Sequence, residues 1–140
     1  MTGQEPPDLA AILAAYDRLV EVGIGRRTDL AARLVRRGVD VCATDVVDRS
    51  VPAGVDFRRD DVRDPTMAIY EDADAVYARR LPPELQRPLR GVARAVAADL
   101  LFTTLGTDPV LVPADRVTLA EGTVHVVRAE GDSDRGPTRN

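Results

Sequence analysis

The segment from residue 18 to residue 44 constrains the fold more than any other part of the chain. An apolar run at 18–22 leads into Gly23-Ile24-Gly25, residues 28–37 carry apolar side chains at helical spacing, and a second apolar run follows at 39–44. Glycine permits a tight turn, and apolar residues three and four positions apart indicate a helix. The segment therefore predicts a strand, a glycine turn, a helix and a second strand. The two strands should be parallel because a helix connects them.

A similar alternation continues to about residue 105 and then stops. Further helices are predicted to begin after Asp8, at Asp64 and at Pro82, and the last of them runs to about residue 97. Further strands are predicted at residues 55–58, 73–78, 100–105, 110–113, 116–120 and 123–128. The last three strands have no helices between them. The pattern predicts an α/β fold, a three-layer sandwich with a mostly parallel sheet and short strands at its C-terminal end.

The length of 140 residues fits one domain with a single core. Polar residues dominate both ends of the chain, which is typical of loosely ordered termini. We expect a flexible N-terminus at residues 1–7, a single domain at 8–130 and a disordered tail at 131–140.

The composition excludes several classes of function. A net charge of -4 argues against general nucleic-acid binding. No apolar run reaches the ~18 residues of a membrane span, so a cytoplasmic protein is expected. With one cysteine and one histidine, neither a disulfide within the chain nor a histidine- or cysteine-rich metal site is expected. All 19 basic residues are arginine and aspartate far outnumbers glutamate, which is typical of a salt-adapted, halophilic cytosol or of a high-GC genome.

Candidate ligand-binding residues follow the first two predicted strands. In parallel sheets, ligands bind at the carboxyl ends of the strands. Glu21, Gly23 and Gly25 lie at the end of the first strand, and Asp45 lies at the end of the second. The glycines allow a ligand to approach the backbone, and a carboxylate at Asp45 can accept hydrogen bonds from both hydroxyls of a ribose. The combination favours a nucleoside site over a turn without a ligand.

Further candidates follow the third and fourth predicted strands. Asp60 and Asp61 lie where the exocyclic amine of an adenine would be received, although a solvated run of charges is an equal alternative. Tyr77 and Arg79 precede the predicted long helix and would orient a substrate, unless they only flank a helix start. His125 alternates with apolar neighbours, so we expect it to point outward from a late strand.

These residues are compatible with two classes of cofactor. Nicotinamide dinucleotides such as NAD use G-x-G-x-x-G to hold a pyrophosphate at a helix start, but the third glycine is replaced by Thr28. S-adenosylmethionine carries no phosphate, and an acid two positions before the first glycine, here Glu21, suits its methionine part.

The sequence resembles a known family in several motifs: VEVGIGR, ATDV, RDDVRDP, VYARRLPPELQRPL and LFTTLGTDP. Over residues 10–128 these motifs are similar to those of an uncharacterised family of small, mainly archaeal, Rossmann-like proteins, and the first three are similar to those of class I S-adenosylmethionine-dependent methyltransferases. The resemblance implies a methyltransferase-like fold. It places Glu21, Gly23 and Gly25 around the methionine part of the cofactor, Asp45 at its ribose, and Asp60 or Asp61 at its adenine.

The chain departs from the methyltransferase pattern at Arg26 and Arg27, which replace the next expected glycine, and before the prolines at 82 and 83, where no Asn or Asp stands. The leading hypothesis is a small S-adenosylmethionine-binding, methyltransferase-like protein of open substrate. The alternatives are a non-catalytic nucleotide-binding or regulatory module, in which arginines including Arg79 and Arg80 take a phosphorylated ligand, and an NAD-binding domain. A small-molecule cofactor is the expected partner, and a sheet edge near residues 110–127 leaves homodimerisation open.

Overall fold

The architecture is a seven-stranded sheet covered by helices on both faces, in a computed structural model that describes residues 5–129. The helices are α1 (Leu9–Leu13), α2 (Asp29–Arg36) and α3 (Pro83–Ala95), with a short 3₁₀ turn at Met67–Ile69. The strands are β1 (Arg18–Val22), β2 (Asp40–Asp45), β3 (Asp56–Arg59), β4 (Ala75–Ala78), β5 (Asp99–Phe102), β6 (Asp115–Leu119) and β7 (Gly122–Val127). Residues 1–4 and 130–140, which include most of the predicted flexible N-terminus and all of the predicted tail, lie outside the described residues.

The strand order is β3-β2-β1-β4-β5-β7-β6. The first five strands in this order are parallel, whereas β7 runs antiparallel to both β5 and β6. The chain order reverses between β1 and β4, and at such a reversal the connecting segments diverge and leave a crevice at the carboxyl ends of the strands. The predicted mostly parallel α/β sandwich is confirmed, and the sheet places the ends of β1, β2 and β4 side by side.

Two apolar layers hold the sheet between its helices. On one face, α1 and α2 pack on the sheet through residues such as Leu13 and Leu34, which are fully buried. On the other face, α3 packs through Leu89 and Val92 together with Tyr70 from the connection between β3 and β4. Alternate residues of β1 enter the two layers, Leu19 in the first and Val20 in the second, because side chains alternate across a strand.

The predicted strand at residues 110–113 is wrong, because this segment is a loop tied to α3. The side chain of Gln86, fully buried in α3, donates a hydrogen bond to the Pro109 carbonyl at 2.9 Å and accepts one from the Leu111 N–H at 2.6 Å. A proline at each end of the segment removes backbone donors that a strand would need. The backbone groups therefore bond to a side chain instead of to a neighbouring strand.

The expectation that His125 points outward is also wrong. The alternation itself holds, since Val124 and Val126 enter the layer beneath α1 and α2. The opposite face of β7 is nevertheless covered, because the ring of His125 packs against Phe102 with centroids 5.3 Å apart. Only 8% of His125 is exposed.

Candidate functional site

The glycine turn after β1 is fastened to the end of β2 by backbone hydrogen bonds. The N–H groups of Gly23 and Ile24 both donate to the Thr44 carbonyl, at 2.9 and 3.1 Å. Gly23 has φ 70° and Gly25 has φ 58°. Glycine adopts these left-handed conformations at little cost, whereas a residue with a Cβ is strained in them. The two glycines are thus required by the shape of the turn, and this shape brings the end of β1 against the end of β2.

Asp45 is the side chain that completes this turn. Its Oδ2 accepts hydrogen bonds from the Gly25 N–H at 2.8 Å and from Nε of Arg49 at 3.3 Å, and its Oδ1 accepts one from the Val47 N–H at 3.3 Å. A carboxylate offers about four acceptor positions, so Oδ1 of Asp45, a residue that is 8% exposed, has capacity for another hydrogen bond. Val46, which follows Asp45, is 57% exposed. A carboxylate and an apolar surface therefore lie together beside the glycine turn.

Glu21 lies one strand away, in a closed group of buried side chains. The hydroxyl of Tyr77, its neighbour in the β1–β4 register, donates to Oε1 of Glu21 at 2.8 Å, and Nη2 of Arg79 lies 3.7 Å from Oε2. Only 2% of Glu21 and 1% of Tyr77 are exposed. The Arg79 guanidinium also donates to the Arg27 carbonyl at 2.7 Å and lies 3.6 Å from Oδ1 of Asp29. Arg79 therefore lies over Glu21 and joins β4 to the start of α2.

Burial dominates the electrostatics of this group. It raises the pKa of Glu21 to about 7, while Arg79 and the hydrogen bond from Tyr77 act in the lowering direction. Burial, followed by the charge of Glu21, raises the pKa of the Tyr77 hydroxyl. The Tyr77 hydroxyl therefore stays protonated at neutral pH and donates a hydrogen bond to Glu21. It does not serve as a base in this arrangement.

Asp60 and Asp61 lie at the end of β3 and have different surroundings. The carboxylate of Asp60 accepts the Thr66 N–H at 2.9 Å and the Tyr70 hydroxyl at 2.6 Å, and the Asp60 N–H donates to the Asp45 carbonyl at 2.9 Å. Asp61 is exposed, and its Oδ1 accepts the Arg63 N–H at 2.9 Å. Asp60 thus links the ends of β3 and β2, whereas Asp61 faces solvent.

The start of α2 carries a negative charge where a dinucleotide would place its pyrophosphate. Asp29 is the first residue of the helix, and the side chain of Thr28 makes no capping hydrogen bond. Arg26 and Arg27 precede it and are exposed. A carboxylate in the first turn interacts favourably with the helix dipole and repels a second anion there. Asp29 was not among the predicted site residues, although its position directly after Thr28 was visible in the sequence.

Arginines from two strand ends meet in a cavity of about 330 Å³ at the carboxyl edge. Arg27 enters from the segment after β1, and Arg79 and Arg80 enter from the segment after β4. Thr103 and Thr104, after β5, line the same cavity. Arg79 and Arg80 were predicted to take a phosphorylated ligand in one of the alternatives, and the fold brings Arg27 beside them.

Residues 5–129 contain neither a cluster of metal ligands nor a helix that could span a membrane. No group of three or more histidine, cysteine, aspartate or glutamate side chains in these residues could hold a metal ion. No helix in the same range is long and apolar enough to cross a membrane.

Comparison with known proteins identifies relatives of the sequence. The model of the Uncharacterised protein family (UPF0146) matches residues 4–130. A UPF0146 protein of Halobacterium salinarum, a halophilic archaeon, is 56% identical over 125 residues, which cover 89% of this chain and 97% of that protein. The predicted resemblance to a family of small archaeal proteins is confirmed.

Comparison with solved structures identifies the fold. An RNA methyltransferase from Salinibacter ruber in complex with S-adenosyl-L-homocysteine superposes with a TM-score of 0.62 at 19% identity, covering 86% of this chain and 87% of that one. The N-terminal domain of EvdMO1 with S-adenosylhomocysteine bound superposes with a TM-score of 0.55 at 18% identity, covering 92% of this chain and 68% of that one. The Rossmann-like, methyltransferase-like fold is thereby confirmed.

Proposed function

Because this chain belongs to the UPF0146 family of archaeal proteins and shares its fold with methyltransferases, we propose that it binds S-adenosylmethionine as a small, methyltransferase-like protein. The proposed site lies at the carboxyl ends of β1, β2 and β3. One observation carries the proposal: the hydrogen bond between the Gly25 N–H and Asp45, here called the joint of Gly25 and Asp45. At this joint, Oδ1 of the carboxylate has capacity for a further hydrogen bond, and the exposed Val46 lies next to it.

This joint suits an adenosyl group in two respects. A ribose hydroxyl would donate to Oδ1 of Asp45, and the part-buried hydrogen bond from Arg49 to Oδ2, 3.3 Å long, would give way to a second hydroxyl. An adenine ring would cover Val46, which removes apolar surface from water. Asp61, exposed at the end of β3, would receive the exocyclic amine, while Asp60 would hold its loop against β2 through the bond to the Asp45 carbonyl.

The charge at the start of α2 favours a cofactor without phosphate. A dinucleotide would bring its pyrophosphate to the N–H groups of this helix start. Asp29 already interacts with the helix dipole there, and Glu21 adds a second carboxyl group nearby, held by Arg79. S-adenosylmethionine brings an ammonium, a sulfonium and one carboxylate to the same region, and no phosphate. The negative charge of Asp29 therefore weighs more against the pyrophosphate of NAD than against S-adenosylmethionine.

Methyl transfer at this site would depend on placement. The reaction needs a nucleophile held in line with the methyl–sulfur bond, and holding two reactants in that geometry lowers the barrier substantially. The cavity with Arg27, Arg79 and Arg80 adjoins the glycine turn and would orient the substrate. Tyr77 would act indirectly, since its hydroxyl is committed to Glu21 and keeps that side chain in place beneath Arg79.

Calorimetric titration with S-adenosylmethionine, S-adenosylhomocysteine, NAD and ATP tests the proposal. The decisive variant is Asp45→Asn, which keeps an acceptor for the Gly25 N–H and removes the charge that would hold the ribose. We expect S-adenosylhomocysteine to bind the native protein, and Asp45→Asn to weaken that binding about 10-fold or more, which corresponds to the loss of one charge-assisted hydrogen bond. Asp48→Asn, at an exposed aspartate three positions away, is the matched control and should bind as the native protein does.

The outcomes separate the candidate functions. Tight binding of NAD with none of S-adenosylhomocysteine would replace the proposal by a dinucleotide site. Binding of ATP alone, with no methyl transfer, would favour a non-catalytic nucleotide-binding or regulatory module whose arginines take phosphate. If none of the four ligands binds to the folded protein, the proposal is wrong.

A further inference from the structure

A second and larger cavity, of about 560 Å³, lies between the loop after β5 and the β6–β7 hairpin. Its size falls in the range of small-molecule sites, which are roughly 300–1,000 Å³. Polar side chains in its wall include Thr104, Asp108, Arg116, Thr123 and His125. None of these residues contributes to the proposed cofactor site.

His125 is a buried polar group in this wall, and its ring has no hydrogen-bond partner among the residues that the structure describes. Its ring rests on Phe102, and 8% of the residue is exposed. Among residues 5–129, no side chain or backbone group forms a hydrogen bond with either ring nitrogen of His125. A buried polar group left unpaired lowers the stability of a protein. The imidazole therefore has an unmet capacity for a hydrogen bond to a ligand in the cavity.

Arg116 lies directly opposite His125 in the β6–β7 register. Side chains of directly opposed residues in an antiparallel pair are close neighbours, and Arg116 forms no ion pair with any of the residues that the structure describes. Burial, and secondarily the charge of Arg116, lowers the pKa of His125, so the imidazole is neutral at neutral pH. Within the described residues, the cavity thus presents a cation without an ion-pair partner beside a neutral imidazole.

Hydroxyl groups complete a set of donors. Thr123 precedes His125 by two positions on β7 and lies on the same face of the sheet. Thr104, from the loop after β5, lines the same cavity. Neither hydroxyl has a partner within the described part of the chain. A guanidinium, an imidazole and two hydroxyls can donate to one group from several directions.

We propose that this cavity binds a small phosphorylated hydroxy compound, such as a sugar phosphate or a mononucleotide. A carboxylate has two oxygens in one plane, which a single guanidinium satisfies, whereas a phosphate has three acceptor oxygens arranged tetrahedrally and uses the further donors of His125, Thr104 and Thr123. Asp108 repels an anion but accepts hydrogen bonds from hydroxyls. Asp108 in the wall therefore favours a ligand that carries hydroxyl groups as well as phosphate.

The inference does not depend on the proposed cofactor site. Thr104 and Thr123 also line the cavity of Arg27, Arg79 and Arg80, so the two cavities adjoin. A compound bound by its phosphate at Arg116 would lie next to that second arginine cluster. A bound sugar phosphate would be detected whether or not S-adenosylmethionine binds.

The single histidine of the chain makes a selective test possible. Its ring signals can be followed by NMR without assignment while ribose 5-phosphate, AMP, inorganic phosphate or ribose is added. We expect saturable shifts with the two phosphorylated hydroxy compounds, weaker saturation with inorganic phosphate and none with ribose. The two organic phosphates distinguish a sugar phosphate from a nucleotide by which binds more tightly.

Variants decide whether the cavity is responsible. Arg116→Ala should weaken ribose 5-phosphate about 10-fold or more, the effect of losing one charge-assisted contact. Arg36→Ala, at an exposed arginine of α2, is the matched control and should leave the affinity unchanged. Asp108→Asn should weaken ribose 5-phosphate less than Arg116→Ala does and leave inorganic phosphate unaffected or bound more tightly. Thr123→Val provides a second, milder test of the same wall.

Two results would overturn the inference. One is the absence of saturable shifts with every phosphorylated probe. The other is binding that Arg116→Ala and Thr123→Val leave at the native affinity, since the phosphate would then lie elsewhere.

Discussion

Replacing Glu21 by glutamine should change how the stability of this protein depends on pH. The side chain is enclosed by Tyr77 and Arg79, and burial raises its pKa from the ordinary 4.5 to about 7. Between these two values the folded chain binds more protons than the unfolded chain does. Stability conferred by this group is therefore lost as pH rises through the window from 4.5 to about 7.

The magnitude follows from the size of the shift. At 1.36 kcal/mol for each unit of pKa, the difference between 4.5 and about 7 amounts to about 3 kcal/mol. A glutamine has nearly the shape of the protonated glutamic acid, and its Oε1 can still accept from the Tyr77 hydroxyl. Glu21→Gln should therefore be close to the native protein in stability at the acid end of the window. Above the window it should exceed the native protein by up to about 3 kcal/mol.

Urea denaturation across the window, in constant high salt, measures this difference. The matched control is Glu71→Gln, at an exposed glutamate, whose stability relative to the native protein should vary little over the same range. A native protein that gains stability relative to Glu21→Gln as pH rises would refute the reasoning. It would mean that the charge of Arg79 outweighs the cost of burying the carboxylate.

Two further predictions concern the turn and the loop. Gly25→Ala should destabilise the fold by about 1 kcal/mol in thermal denaturation, because φ is 58° there and a Cβ is strained. Gly91→Ala should instead stabilise the fold by about 1 kcal/mol in the same assay. Gly91 lies inside α3, and an added Cβ would have nothing within 4 Å. Gln86→Leu should lower the free energy of unfolding by about 1–3 kcal/mol, because it leaves the Pro109 carbonyl and the Leu111 N–H without their partner. Hydrogen exchange at the Leu111 amide should accelerate. An exchange rate equal to that of the native protein would contradict this role of Gln86.

Short-range sequence patterns predicted the parallel strands and the helix between the first two of them. The first strand was predicted at residues 18–22, the bounds that the structure has, and the helix before Gly38 differs by a residue at each end. These elements are specified by short-range patterns, namely apolar runs and glycine turns, which a sequence displays directly. The positions of Gly23 and Asp45 at strand ends follow from the same patterns.

Contacts between distant parts of the chain could not be predicted in this way. Glu21 meets Tyr77 only because β1 and β4 pair in that register, across 56 positions of sequence. Residues 110–113 have the composition of a strand, and their competing partner, Gln86, lies on a helix. The side chains of Val124, His125 and Val126 alternate between the two faces of β7 as predicted. Phe102 covers the face of His125 because the sheet order places β5 beside β7. In each case the deciding partner is far along the chain.

Amide chemical-shift mapping with S-adenosylhomocysteine shows whether an adenosyl cofactor binds where the ends of β1 and β2 meet. We expect saturable shifts at Gly25, Val46 and Asp61, with His125 unaffected. Shifts confined to the cavity of His125, or no saturable shift in the folded protein, would rule out this site.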